Sequence, residues 1–98
     1  MRDSVCELVH IHGDVQGVCF RYYAKCEADG LGINGWVRNM PDGSVDALIR
    51  GSETKLVAMR KWLSHGPPMA RVLDFCVEPC PEDSCSKEGF HIIDFVNR

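Results

Sequence analysis

Two segments of this 98-residue chain carry residue types at spacings that suit chemistry. The first is Gly13-Asp14-Val15-Gln16-Gly17-Val18-Cys19-Phe20-Arg21. Its two glycines allow backbone N–H groups to turn inward. Such a nest beside a helix N-terminus attracts anions. Arg21 sits at the entrance of the helix expected to follow, and its guanidinium can grip two oxygens of a phosphate or carboxylate at once. A cation in a first turn opposes the helix dipole, which favours a functional reason for it. The structural alternative is an ordinary glycine-containing connection with Arg21 in a surface ion pair. No Gly-Lys-Ser/Thr follows, so this is not a nucleotide-triphosphate loop. The second segment is Gly35-Trp36-Val37-Arg38-Asn39-Met40-Pro41-Asp42-Gly43-Ser44-Val45. A primary amide such as Asn39 donates and accepts together, so it can hold a water in line with a bound electrophile. The alternative is a turn residue bonded to its own backbone.

The elements that would position these residues follow from periodicity. Val5 to His12 alternates as a strand, with Val5, Glu7, Val9 and Ile11 on one side. Gly13 to Gly17 breaks it. Phe20 to Ala28 reads as a helix, with Asp29-Gly30 as its stop. Ile33 to Asn39 and Val45 to Arg50 flank a Pro-Asp-Gly turn and make a hairpin. Ser52 is a plausible N-cap for a second helix, whose Leu56, Met59 and Leu63 form a core stripe ended by Gly66-Pro67-Pro68. Arg71 to Val77 is a fourth strand, Glu78 to Glu88 a loop, and Phe90 to Val96 a last strand. The order β-α-β-β-α-β predicts an α+β, ferredoxin-like sandwich: an antiparallel sheet with two helices on one face.

Composition agrees with one domain over residues 1–98. Hydrophobic residues make up 45% and charged residues 26%, which excludes a disordered chain or a coiled coil. Apolar runs are too short to span a membrane, and no secretory leader is legible. A net charge of −3 lacks the basic field that nucleic-acid binding needs. A small anionic substrate remains compatible, because a local site can oppose the global sign. The six cysteines stand at 6, 19, 26, 76, 80 and 85. They read as reduced, mostly buried thiols of a cytoplasmic protein, with a Cys80–Cys85 disulfide or weak metal clip as the alternative.

The two segments together resemble the signatures of the acylphosphatase family, Gly-x-Val-Gln-Gly-Val-x-Phe-Arg and Gly-x-x-x-Asn-x-x-(Asp/Lys)-Gly-x-Val. The spacing between them, the Trp62-Leu63 helix end and the Ala70-Arg71-Val72 strand start are similar too, so the resemblance spans nearly the whole chain. It implies the ferredoxin-like fold and hydrolysis of a carboxyl-phosphate anhydride to carboxylate and inorganic phosphate. It implies Arg21, with the backbone amides of Gln16, Gly17, Val18, Cys19 and Phe20, as the phosphate holder, and Asn39 as the group that positions water. No metal and no organic cofactor is expected. The expected partner is a small acyl phosphate, acted on by a monomer without nucleic acid or membrane. Cys19 occupies a variable position of the signature. Asp14 puts a carboxylate near the cradle, where it repels substrate unless it points to solvent.

Weaker candidates are His10 and His12, a same-face pair that reads as a solvated sheet surface rather than a metal site. His65 is expected at a helix C-terminus, and Lys55, Arg60 and Lys61 on a solvated helix face. The competing function is a non-catalytic accessory domain of the same fold, as in the acylphosphatase-like N-terminal domain of the hydrogenase maturation carbamoyltransferases. A nucleic-acid-binding ferredoxin-like sheet is disfavoured by the missing Lys/Arg-Gly-Phe/Tyr aromatics.

Overall fold

The computed structural model describes residues 4–80 and 88–93. Alternating apolar residues build β1 (Ser4–Asp14), which feeds α1 (Phe20–Leu31). The hairpin β2 (Asn34–Asn39) and β3 (Val45–Ser52) leads to α2 (Glu53–Leu63), β4 (Arg71–Pro79) and β5 (Phe90–Ile92). The strand order is β4-β1-β3-β2-β5. The four strands β1 to β4 pair antiparallel, in the ferredoxin-like arrangement expected. β5 pairs parallel to β2, so the sheet is mixed rather than wholly antiparallel. β4 and β5 lie on opposite edges.

Period-2 alternation puts Val9, Ile11, Val45, Ala47 and Ile49 on the helix-covered face, all with no exposed surface. Phe20, Ala24 and Ala28 of α1 and Leu56, Met59 and Leu63 of α2 close over them. Each large side chain among these contributes about 1.5–3 kcal/mol by leaving water. Phe20 and Trp62 meet edge to face at 5.5 Å and join the two helices. Ser52 caps α2 as expected, its Oγ accepting from the Lys55 N–H at 3.4 Å.

Several boundaries differ from the sequence reading. α1 runs through Asp29-Gly30 to Leu31. A mid-helix glycine costs about 1 kcal/mol but does not end a packed helix. The stop is Gly32, whose left-handed backbone lets its N–H donate to the carbonyls of Ala28 and Asp29. β4 reaches Pro79, because an edge strand tolerates a missing N–H. The expected residues 94–96 of the last strand lie outside the described residues. His65 lies one residue past the cap Ser64, and its Nδ1 is 3.1 Å from the Gly66 carbonyl. Cys19, Cys26 and Cys76 are exposed and Cys6 is buried, so the thiols are not mostly buried. Cys85 lies outside the described residues.

The open face of the sheet is only partly solvated. Cys6 and Leu48 are buried there, with Leu8, Trp36 and Cys80 packed around them. His10 ties three strands together. Its Nδ1 is 2.8 Å from the nearly buried Asp46 carboxylate on β3, and its Nε2 is 2.6 Å from Glu78 on β4. His12 is 3.8 Å from Asp42 and does not join it. Among the described residues, no three His, Cys, Asp or Glu side chains gather as a metal site. The Glu78 hydrogen bond raises the His10 pKa above its ordinary 6.5; burial opposes this and Asp46 reinforces it. The folded state therefore favours the imidazolium. The contribution is full below pH 6.5 and is lost as pH rises through the folded-state pKa. Urea unfolding from pH 5.5 to 8.5 tests this. Wild type should lose more stability across that interval than His10→Gln, and parallel profiles would show that His10 carries no such linkage.

Candidate active site

The connection from β1 to α1 is held from below and open above. Val15 is fully buried and pins the loop to the core. Gly17 then takes φ 77° and Cys19 φ 62°, the latter the one non-glycine residue with positive φ among those described. A side chain in that region costs about 1–2 kcal/mol, a strain typical of functional loops. Left-handed residues set between right-handed ones turn successive N–H groups toward one side. Cys19 is also the N-cap of α1 and makes no side-chain capping bond, and the first turn holds no acidic residue. Among the described residues, the leading amides of α1 thus have no side-chain oxygen to satisfy them. An anion fits that deficit.

Asn39 ends β2 opposite Val45, at the mouth of a tight turn. The Met40 N–H donates to the Ser44 carbonyl at 2.8 Å, and the Gly43 N–H donates to Met40 at 3.1 Å. Asp42 accepts from the Ser44 hydroxyl and N–H, bonds that hold its carboxyl below the usual carboxylate range. At the other end of β2, Gly35 passes so close to β3 that a Cβ there would collide with the Leu48 carbonyl oxygen. The first glycine of the second signature is therefore a packing requirement.

Both segments converge on one cavity of about 320 Å³. Gly17, Cys19, Phe20, Arg21 and Asn39 line it, and Val15, Tyr22 and Ile92 add apolar walls. Arg21 is half-buried there, and one Nη donates to the Ile93 carbonyl at 3.4 Å. The Oδ1 of Asn39 is buried and accepts no hydrogen bond from the described residues. Asp14, the last residue of β1, is exposed and does not line the cavity. Gln16 and Val18 do not line the cavity.

The Gln16 side chain has a role that sequence reasoning missed. Its Nε2 donates to the carbonyls of both Met40 and Ser44, each at 2.8 Å. One amide thus fastens the glycine loop to the turn that follows Asn39. The signal available in the sequence was a long amide amid glycines and valines, but its partners lie 24 and 28 residues away.

The fold is a small α+β sandwich with a cavity between the end of β1 and the start of α1. A sequence model of the acylphosphatase family matches residues 8–92. The acylphosphatase of Thermococcus kodakarensis is 45% identical over 85 residues, covering 87% of this chain and 91% of that one. The acylphosphatase structure from Coxiella burnetii superposes with a TM-score of 0.85 at 31% identity, covering 93% of this chain and 94% of the other. That from Bacillus subtilis gives 0.85 at 32% identity, covering 91% and 98%. The chain belongs to the acylphosphatase family, and the activity that goes with this membership is hydrolysis of acyl phosphates.

Gln16→Ala removes both hydrogen bonds between the loop and the turn, although each carbonyl keeps a backbone donor. It should cost about 1–3 kcal/mol in urea unfolding and lower turnover as Asn39 loses its fixed distance from the loop. A variant as stable and as active as wild type would show that the bridge holds nothing in place. Gly35→Ala should be destabilised by more than about 2 kcal/mol, read by thermal unfolding, because the collision is with backbone that cannot rotate away.

Proposed function

We propose that the cavity binds the phosphoryl group of an acyl phosphate and hydrolyses its carboxyl-phosphate bond by positioning and charge stabilisation alone. The backbone amides of Gln16 to Phe20 and the Arg21 guanidinium hold the phosphoryl oxygens. The guanidinium carries five donors, so its contact with Ile93 is compatible with a bidentate grip on an anion. The Asn39 side-chain amide holds the attacking water and sets it behind the phosphorus. The water oxygen forms the new bond to phosphorus as the bond from phosphorus to the carboxyl oxygen breaks. The leaving carboxylate departs with the electron pair, and the water proton passes to a phosphoryl oxygen.

This division of labour suits the chemistry. The leaving group's conjugate acid has a pKa of about 4, so it needs no general acid. Phosphoryl transfer gains most from fixed donors around the charge that spreads over the equatorial oxygens. The observation that carries the reading is the convergence of Arg21, Asn39 and an uncapped helix start on one cavity. The proposal is a monomer that works without metal, organic cofactor or nucleic acid.

The deciding experiment is benzoyl phosphate hydrolysis by the full chain with a chelator present. Asn39→Ala should lose about 10²-fold or more in turnover while inorganic phosphate inhibits it nearly as well as wild type. Arg21→Gln should lose both turnover and phosphate inhibition. Equal phosphate inhibition of wild type and Arg21→Gln overturns Arg21 as the anchor. A collapse of phosphate binding in Asn39→Ala overturns the separation of roles.

A further inference from the structure

At the end of the sheet remote from the cavity, two cysteines distant in sequence meet. The ladder register sets Glu7 opposite Pro79, which brings Cys6 opposite Cys80 as the next cross-strand pair. The Cys80 N–H donates to the Cys6 carbonyl at 3.1 Å, and the two Sγ atoms are 2.6 Å apart. Hydrogen-bonded antiparallel partners keep their Cα atoms about 5.5 Å apart, inside the span of about 4.4–6.8 Å that disulfides bridge. Both side chains lie on the open face, in the apolar cluster of Leu8, Trp36 and Leu48.

We propose that Cys6 and Cys80 are an oxidation site that closes to a disulfide and staples the edge strand β4 to β1. The oxidant is a small-molecule disulfide of the glutathione type. Cys80 is the half-buried, accessible partner, while Cys6 is only 4% exposed. The Cys80 thiolate attacks one sulfur of the oxidant and expels one small thiolate, leaving a mixed disulfide. Cys6, having given up its proton to solvent, attacks the Cys80 sulfur and expels the second. One protein disulfide forms and one small disulfide is reduced to two thiols, so electrons and protons balance.

The consequence is mechanical. β4 is the most exposed strand of the sheet, with Leu73 at 70% exposure, and one of its ladder partners is absent because it is an edge. A bond from residue 6 to residue 80 closes most of the chain into a loop, which restricts the unfolded state more than a short loop does. It leaves the cavity untouched, because the loop that lines it departs from the opposite end of β1.

The test treats the full chain with oxidised glutathione, blocks remaining thiols and maps disulfides in an unreduced digest. The expected product links Cys6 to Cys80, raises the thermal midpoint by more than about 5 °C over the reduced chain, and retains phosphate binding. The rise should vanish in Cys80→Ser, a half-buried position that spares the core, and persist in Cys85→Ser. A Cys80–Cys85 link, a stable glutathione adduct on Cys80, or a link between two chains overturns the assignment. So does a midpoint that oxidation leaves unchanged.

Discussion

One side-chain amide spans the two halves of the site. The Gln16 Nε2 serves the carbonyls of Met40 and Ser44 together, and through them it holds the glycine loop against the hairpin turn. The positioning catalysis proposed for this site depends on this distance, because a misplacement of about an ångström between reactant and donor costs heavily in rate. Loop and turn are otherwise separate excursions from the C-terminal ends of β1 and β2. What fixes each alone is the sheet beneath: Val15 anchors the loop in the core, and the Val45 end of β3 anchors the turn. Gln16 converts two anchored loops into one rigid rim.

The rim holds strain and unmet hydrogen-bonding capacity side by side. Cys19 occupies a left-handed backbone without being glycine, and α1 starts without a side-chain cap. Each of these weakens an isolated helix by about a kilocalorie per mole. Both features lie at residues that line the cavity or open the helix beside it. In the proposed reading a phosphate satisfies what the chain leaves unsatisfied, so the local instability and the affinity share one cause. The burial of Phe20, Ala24 and Ala28 against the sheet offsets the loss and keeps the helix start where the cradle needs it.

The opposite face of the sheet obeys different constraints. Among the described residues no helix covers it, yet Leu48 and Cys6 are buried and His10 bridges carboxylates on two neighbouring strands. The interactions there are lateral ties between strands rather than packing between layers. They concentrate on β1 and its partners, and the weakly covered edge strand β4 depends on them. An imidazolium between Asp46 and Glu78 and a thiol pair at Cys6 and Cys80 both respond to the surroundings, one to protons and one to oxidants.

Much of this was legible from the residues. Alternation in β1 and β3, the Pro-Asp-Gly turn and the Leu56, Met59, Leu63 stripe each reflect one local geometry, and each element formed where its period indicated. The two signature segments singled out Arg21 and Asn39, which the fold brings to one cavity, since residue type and spacing encode what chemistry is possible. The failures were of another kind. The end of α1 moved from Gly30 to Gly32 because packing of the last turn outweighs a single glycine's cost. The parallel pairing of β5, the double bond made by Gln16, the His10 bridge and the meeting of Cys6 with Cys80 join residues far apart in the chain. Local periodicity carries no information about such pairs. By itself the sequence determined the elements and the chemical inventory, because these follow from neighbours along the chain. The tertiary structure alone decided which distant groups touch, because that depends on strand order and register, which only the folded core sets.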